Sequence, residues 1–81
     1  MGRTADEIRY AMTGGGTRVE VLGSSRVILE GSDGIIGYGP EAIGFRCGRR
    51  QIWIRGEGLR MVCMDEDSAV VAGRIGEVVF A

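Results

Sequence analysis

The residues of this 81-residue chain that could do chemistry are few, and they cluster. Five of its ten arginines fall at 46, 49, 50, 55 and 60, around the only tryptophan, Trp53, and this stretch holds a single acid, Glu57. Arginines interleaved with an aromatic ring are the kit of a single-strand nucleic-acid binder, where guanidinium groups meet phosphates and the ring stacks on a base. Three consecutive acids, Asp65, Glu66 and Asp67, form the other charged cluster. They lack the spacing of an EF-hand, so they read as a solvated turn. There is no histidine, and Cys47 and Cys63 stand sixteen positions apart with no CxxC pair. That removes the usual zinc ligand sets and every Ser–His–Asp or Cys–His nucleophile system. No sequence logic sets two carboxylates face to face across a cleft. The chain reads as a non-enzyme, with no catalytic residue, cofactor, metal or small-molecule substrate to assign. Both cysteines read as small buried apolar residues, with a disulfide left open because it needs Cα atoms within about 7 Å.

The overall balance points away from bulk electrostatic binding. Ten basic and eleven acidic residues leave a net charge of −1, which attracts the whole chain to neither nucleic acid nor an anionic surface. A nucleic-acid role would have to rest on the 46–60 stretch alone, and five aromatic residues make a thin stacking platform. No run approaches the ~20 apolar residues that span a bilayer. The opening "MGRTADEIRYAM" lacks the apolar core of a signal peptide. A cytoplasmic protein is expected, with any membrane contact made through a partner.

The elements that must position these residues are short. Over residues 4–12, Thr4 and Glu7 form a capping-box pattern, and Ile8, Ala11 and Met12 share one helical face, which predicts a short helix. The glycines that follow, "TGGGT", read as a flexible linker. A phosphate loop fits less well, because it needs strand, glycines and helix in that order, with GK[ST]. From Arg18 on, alternating apolar runs recur every eight to ten positions: "RVEVL", "RVILE", "GIIGY", "AIGFRC", "QIWIR", "LRMVCM", "SAVVAG" and "EVVF". This is an all-β signature. The expectation is about eight short, mostly antiparallel strands in a sandwich or partly closed barrel, with residues 1–17 a helix and linker and 18–81 the β domain.

Registers follow from the turn residues. In "WIRGEGLRM" a two-residue loop at Gly56-Glu57 sets Ile54 opposite Leu59, Ile52 opposite Met61 and Trp53 opposite Arg60. The alternative, Glu57-Gly58, would set Arg55 against Arg60. Gly56 and Pro40 are therefore the predicted turn-forming residues. In "VEVLGSSRVILE" Leu22 is predicted to oppose Val27, and Val21 to oppose Ile28. Ile43, Phe45 and Cys47 share a face in "AIGFRC". Trp53, Val62 and Met64 fall on the face opposite Ile52, Ile54, Leu59 and Met61. With Arg55 and Arg60 they make the candidate interaction surface. Strands apolar on both faces in so small a chain call for closure or self-assembly, so a homo-oligomer is expected.

Between Arg18 and Phe80 the chain resembles the YabP/YqfC family of bacterial sporulation proteins. The resemblance is carried most visibly by "QIWIRGEGLRM" and "VVAGRIGEVVF" and covers about sixty of the 81 residues. It implies a non-enzymatic role in endospore morphogenesis in the mother cell. It also implies a membrane-embedded sporulation partner of the YqfD type. The family supplies no catalytic or ligand residues to carry over.

Overall fold

A computed structural model describes the backbone of residues 8–14 and the whole of residues 17–81. The fold is all-β. Seven strands run in chain order: β1 Ile8–Gly14, β2 Thr17–Leu22, β3 Arg26–Glu30, β4 Gly34–Tyr38, β5 Ala42–Cys47, β6 Arg50–Met64 and β7 Ser68–Phe80. They form one antiparallel sheet in the order β1-β2-β3-β7-β6-β5-β4. Strands β2, β3, β5, β6 and β7 carry the core, β4 lies along the edge of β5 and β1 along the outer edge of β2.

The architecture rests on two strands far longer than the rest. β6 has fifteen residues and β7 thirteen, and they pair along most of their length. Three register irregularities, at Arg55/Gly56, Glu57/Arg60 and Met61/Cys63, interrupt the ladder. Bulges of this kind bend a strand and sharpen its twist. The bent ribbon carries the β2–β3 hairpin on residues 68–72 of β7 and the β4–β5 hairpin on residues 50–55 of β6. Apolar residues from both hairpins meet in one cluster. Val19, Val27 and Leu29 join Ile43, Phe45, Ile52, Ile54 and Val71, all without solvent exposure. A single antiparallel sheet thus bends around its own core, where about eight short strands in a sandwich or partly closed barrel were expected.

The bend is possible because of glycine. A Cβ on Gly56 would lie 1.9 Å from the Arg74 carbonyl oxygen, and one on Gly73 would lie 2.6 Å from that of Gly58. Gly73 also has φ +139°, a conformation L side chains rarely adopt. The predicted turn at Gly56 is therefore corrected. Gly56 sits inside β6, opposite Ile75, where two backbones cross too closely for any side chain. "QIWIR" and "LRMVCM" are one strand, and so are "SAVVAG" and "EVVF". Trp53 pairs with Val79 and Arg60 with Ala72, not with each other. Pro40 lies in the connection between β4 and β5.

The two hairpins are built alike. Each closes through three residues, 23–25 and 39–41. The turn carbonyls of each receive amides from the bend of the long strand beneath. Ser25 O accepts from Gly73 N at 3.1 Å and Ser24 O from Ile75 N at 2.8 Å. Glu41 O accepts from Gly56 N at 3.1 Å and Pro40 O from Leu59 N at 2.8 Å. In the first hairpin Val21 pairs with Val27 and Leu22 with Arg26, one residue away from the predicted register. A one-residue slip reverses every side chain. The observed register puts Val19, Val21, Val27 and Leu29 together in the core.

The N-terminal expectation also changes. Residues 8–12 of the predicted helix belong to β1, which pairs with β2 from Ile8↔Leu22 to Gly14↔Thr17. "IRYAM" reads at period two as well as at period 3.6. A helix of two to three turns is marginal in water, whereas a strand here gains a partner along β2. The boundary at 17/18 falls inside the sheet. Residues 4–7 of that helix and positions 15 and 16 of the linker lie outside the described residues.

Candidate interaction surface

Trp53 is the centre of the outer face, on the side of β6 opposite Ile52 and Ile54. Its indole lies flat across the two neighbouring strands. A Cβ on Gly44 of β5 would meet the ring at 2.7 Å, and one on Gly37 of β4 at 2.6 Å. Gly37, Gly44, Trp53 and Val79 stand in one row across four strands. The two glycines form a floor into which the ring sinks until it is half-buried, and its Nε1 donates to Gln51 Oε1 at 3.2 Å. The ring replaces the packing that side chains on those glycines would have given. Glycine inside a strand marks a close approach, yet which ring fills the space depends on strand order.

The five predicted surface residues do not form one patch. Arg55 is exposed beside Glu77, 3.7 Å away. Arg60 is exposed on the far side of the bend and faces Ala72. Val62, half-exposed, is the extra residue between Met61↔Val71 and Cys63↔Val70. That extra residue reverses the alternation after it. Met64 therefore pairs with buried Ala69 and stands at the rim of the core face, not on Trp53's side. Among the described residues the large apolar side chains left exposed are Ile35 and Tyr38 on β4 and Val62 and Met64 at the end of β6. Tyr38 links the two elements, since its hydroxyl oxygen accepts from Met61 N at 3.3 Å.

The arginines divide into paired and unpaired sets. Arg18 pairs with Glu20, Arg55 with Glu77 and Arg74 with Glu57. Arg46, Arg49 and Arg50 are exposed and make no ion pair among the described residues. The cysteines are free: Cys47 is buried, and Cys63 is exposed where a buried residue was expected. Burial pushes the Cys47 thiol above its ordinary pKa. Asp33 adds to that shift and a hydrogen bond with Thr17 opposes it.

A cavity of about 330 Å³ opens between β2 and the second half of β7, lined by Val21, Ile75, Val78 and Phe80 with the 23–24 turn and Glu77 at its mouth. Among the described residues no group of three His, Cys, Asp or Glu could hold a metal ion. No helix there is long and apolar enough to cross a membrane. Compared with protein-family models, curated proteins and solved structures, the chain matches none.

Proposed function

We propose that this chain is a non-enzymatic interaction module of endospore morphogenesis, acting through protein–protein contacts. It assembles with itself and meets a membrane-embedded sporulation partner of the YqfD type from the mother-cell cytoplasm. The sporulation role rests on the family resemblance between Arg18 and Phe80. The mode of action rests on one structural observation: Ile35, Tyr38, Val62 and Met64 stay exposed on β4 and the end of β6, beside a closed core. Apolar residues gathered at a sheet edge are what an interaction module presents. The test is deletion of the gene in the organism that carries it. Heat-resistant spores are expected to fall by orders of magnitude, with growth unaffected. An unchanged spore count would overturn the role. Crosslinking in sporulating cells through a photoreactive residue at position 62 should capture a membrane protein.

A second reading has its own observation. Arg46 on β5, Arg49 in the β5–β6 turn and Arg50 at the start of β6 make no ion pair among the described residues and stand near Trp53 along the chain, arginines and an aromatic being what a single-strand binding surface uses. Oligonucleotide binding that weakens with salt and disappears in Arg49→Ala/Arg50→Ala would favour it. No binding at low salt would remove it.

A further inference from the structure

The bend in β6 and β7 brings two oppositely charged loops to one end of the molecule. Arg46, Arg49 and Arg50 surround the β5–β6 turn, and Asp65, Glu66 and Asp67 make the β6–β7 turn. On a straight ribbon these turns would stand a full strand apart. Here only residues 31–33 separate them. Gly31 N and Ser32 N both donate to Asp67 O, at 2.6 and 3.1 Å. One residue on, Asp33 N donates to Arg46 O at 2.7 Å, and the Asp33 carboxylate accepts from Gly48 N at 2.8 Å. The acidic turn is closed by a further bond, Asp65 N to Ser68 O at 2.8 Å. Both loops are thus fixed by main-chain hydrogen bonds, so little order remains to be imposed on binding.

All six charged side chains are exposed, and none forms an ion pair among the described residues. Three unpaired cations beside three unpaired anions make a surface that is complementary to itself after a half-turn. A two-fold axis between the loops lays each basic turn on the acidic turn of the other copy. Exposed apolar side chains flank the same end. Met64 precedes Asp65, and Ile35 follows Asp33 by two positions. We propose that a second copy of this chain docks here as an isologous dimer, with Arg46, Arg49 and Arg50 of each copy against Asp65, Glu66 and Asp67 of the other. This inference rests on the self-assembly part of the proposed function and names the surface that performs it.

Sedimentation equilibrium of the full chain tests it, with circular dichroism to establish that each variant is folded. The wild type is expected to be a dimer at low salt that dissociates as salt rises. Arg49→Glu/Arg50→Glu and Asp65→Arg/Glu66→Arg should each sediment as a monomer. Mixed in equal amounts they should form a heterodimer, because both loop contacts are then complementary again. A wild type that stays monomeric at high concentration overturns both this interface and the self-assembly reading. A dimer that persists equally well in both variants overturns the interface and leaves self-assembly standing. Monomeric variants that fail to associate on mixing also overturn it.

Discussion

The two bends of the long ribbon are built with the same parts and finished differently. Over β6, the 39–41 turn caps Gly56 and Leu59, and the Tyr38 hydroxyl reaches on to Met61. Over β7, the 23–25 turn caps Gly73 and Ile75, but Leu22 occupies the position before the turn. A cavity of about 330 Å³ lies alongside. One corner is tied across by an exposed tyrosine hydroxyl and the other opens onto a cavity. Backbone hydrogen bonding therefore fixes where each hairpin docks, and one side-chain hydrogen bond distinguishes the two joints.

Substitutions separate these two contributions. Gly56→Ala should have the largest effect, because its Cβ would lie 1.9 Å from a backbone oxygen that no rotamer can move. A loss above about 3 kcal/mol in chemical denaturation is expected, or no folded protein. Gly73→Ala should follow closely, combining a 2.6 Å contact with φ +139°. Comparable stability in either variant would mean that the ribbon does not cross as described. Next comes the corner that Tyr38 ties. Tyr38→Phe removes the acceptor for Met61 N and should cost about 1 kcal/mol. Faster amide exchange is expected at Met61 and not at Ile75. At the hollow corner Val21→Ile should be tolerated or stabilising by up to about 1 kcal/mol, read as a higher melting temperature. A clear destabilisation there would show that the cavity is already full.

The smallest effect concerns Cys47, buried at the end of β5. Its folded pKa is raised, so the fold favours the neutral thiol. That contribution is complete below the ordinary thiol pKa and is lost as pH rises through the raised folded value. Cys47→Ala should flatten the alkaline decline of stability. In the native protein, a thiol reagent should modify exposed Cys63 well before Cys47.

Much of this fold can be read in the sequence, and the misreadings have one cause. "RVILE", "GIIGY" and "AIGFRC" are strands β3, β4 and β5 to the residue. Alternation and turn chemistry are local signals, and these strands are bounded by local turns. Gly56 failed because a glycine between two alternating runs is the same signal for a hairpin and for a bulged crossing. What decides is the Arg74 carbonyl, eighteen positions away. The Gly37–Gly44–Trp53 arrangement was hidden for the same reason, since it depends on β4, β5 and β6 being adjacent in that order. Trp53 could be singled out as unusual, but its floor could not. The predicted patch lost Met64 to a single inserted residue at Val62, and alternation cannot foresee a bulge.

The strand order also sets a timetable. β4, β5 and β6 each pair with the next strand along the chain, so β4 to β7 can zip up in succession as they are made. β3 cannot: its partner beyond β2 is β7, with Glu30 meeting Ser68 and Arg26 meeting Ala72. During synthesis the β2–β3 hairpin must wait, with Val27 and Leu29 uncovered, until the strand that receives it leaves the ribosome. The step that closes the core is therefore the slowest one to reach, and the interval before it is when nascent copies are most exposed to pairing with each other.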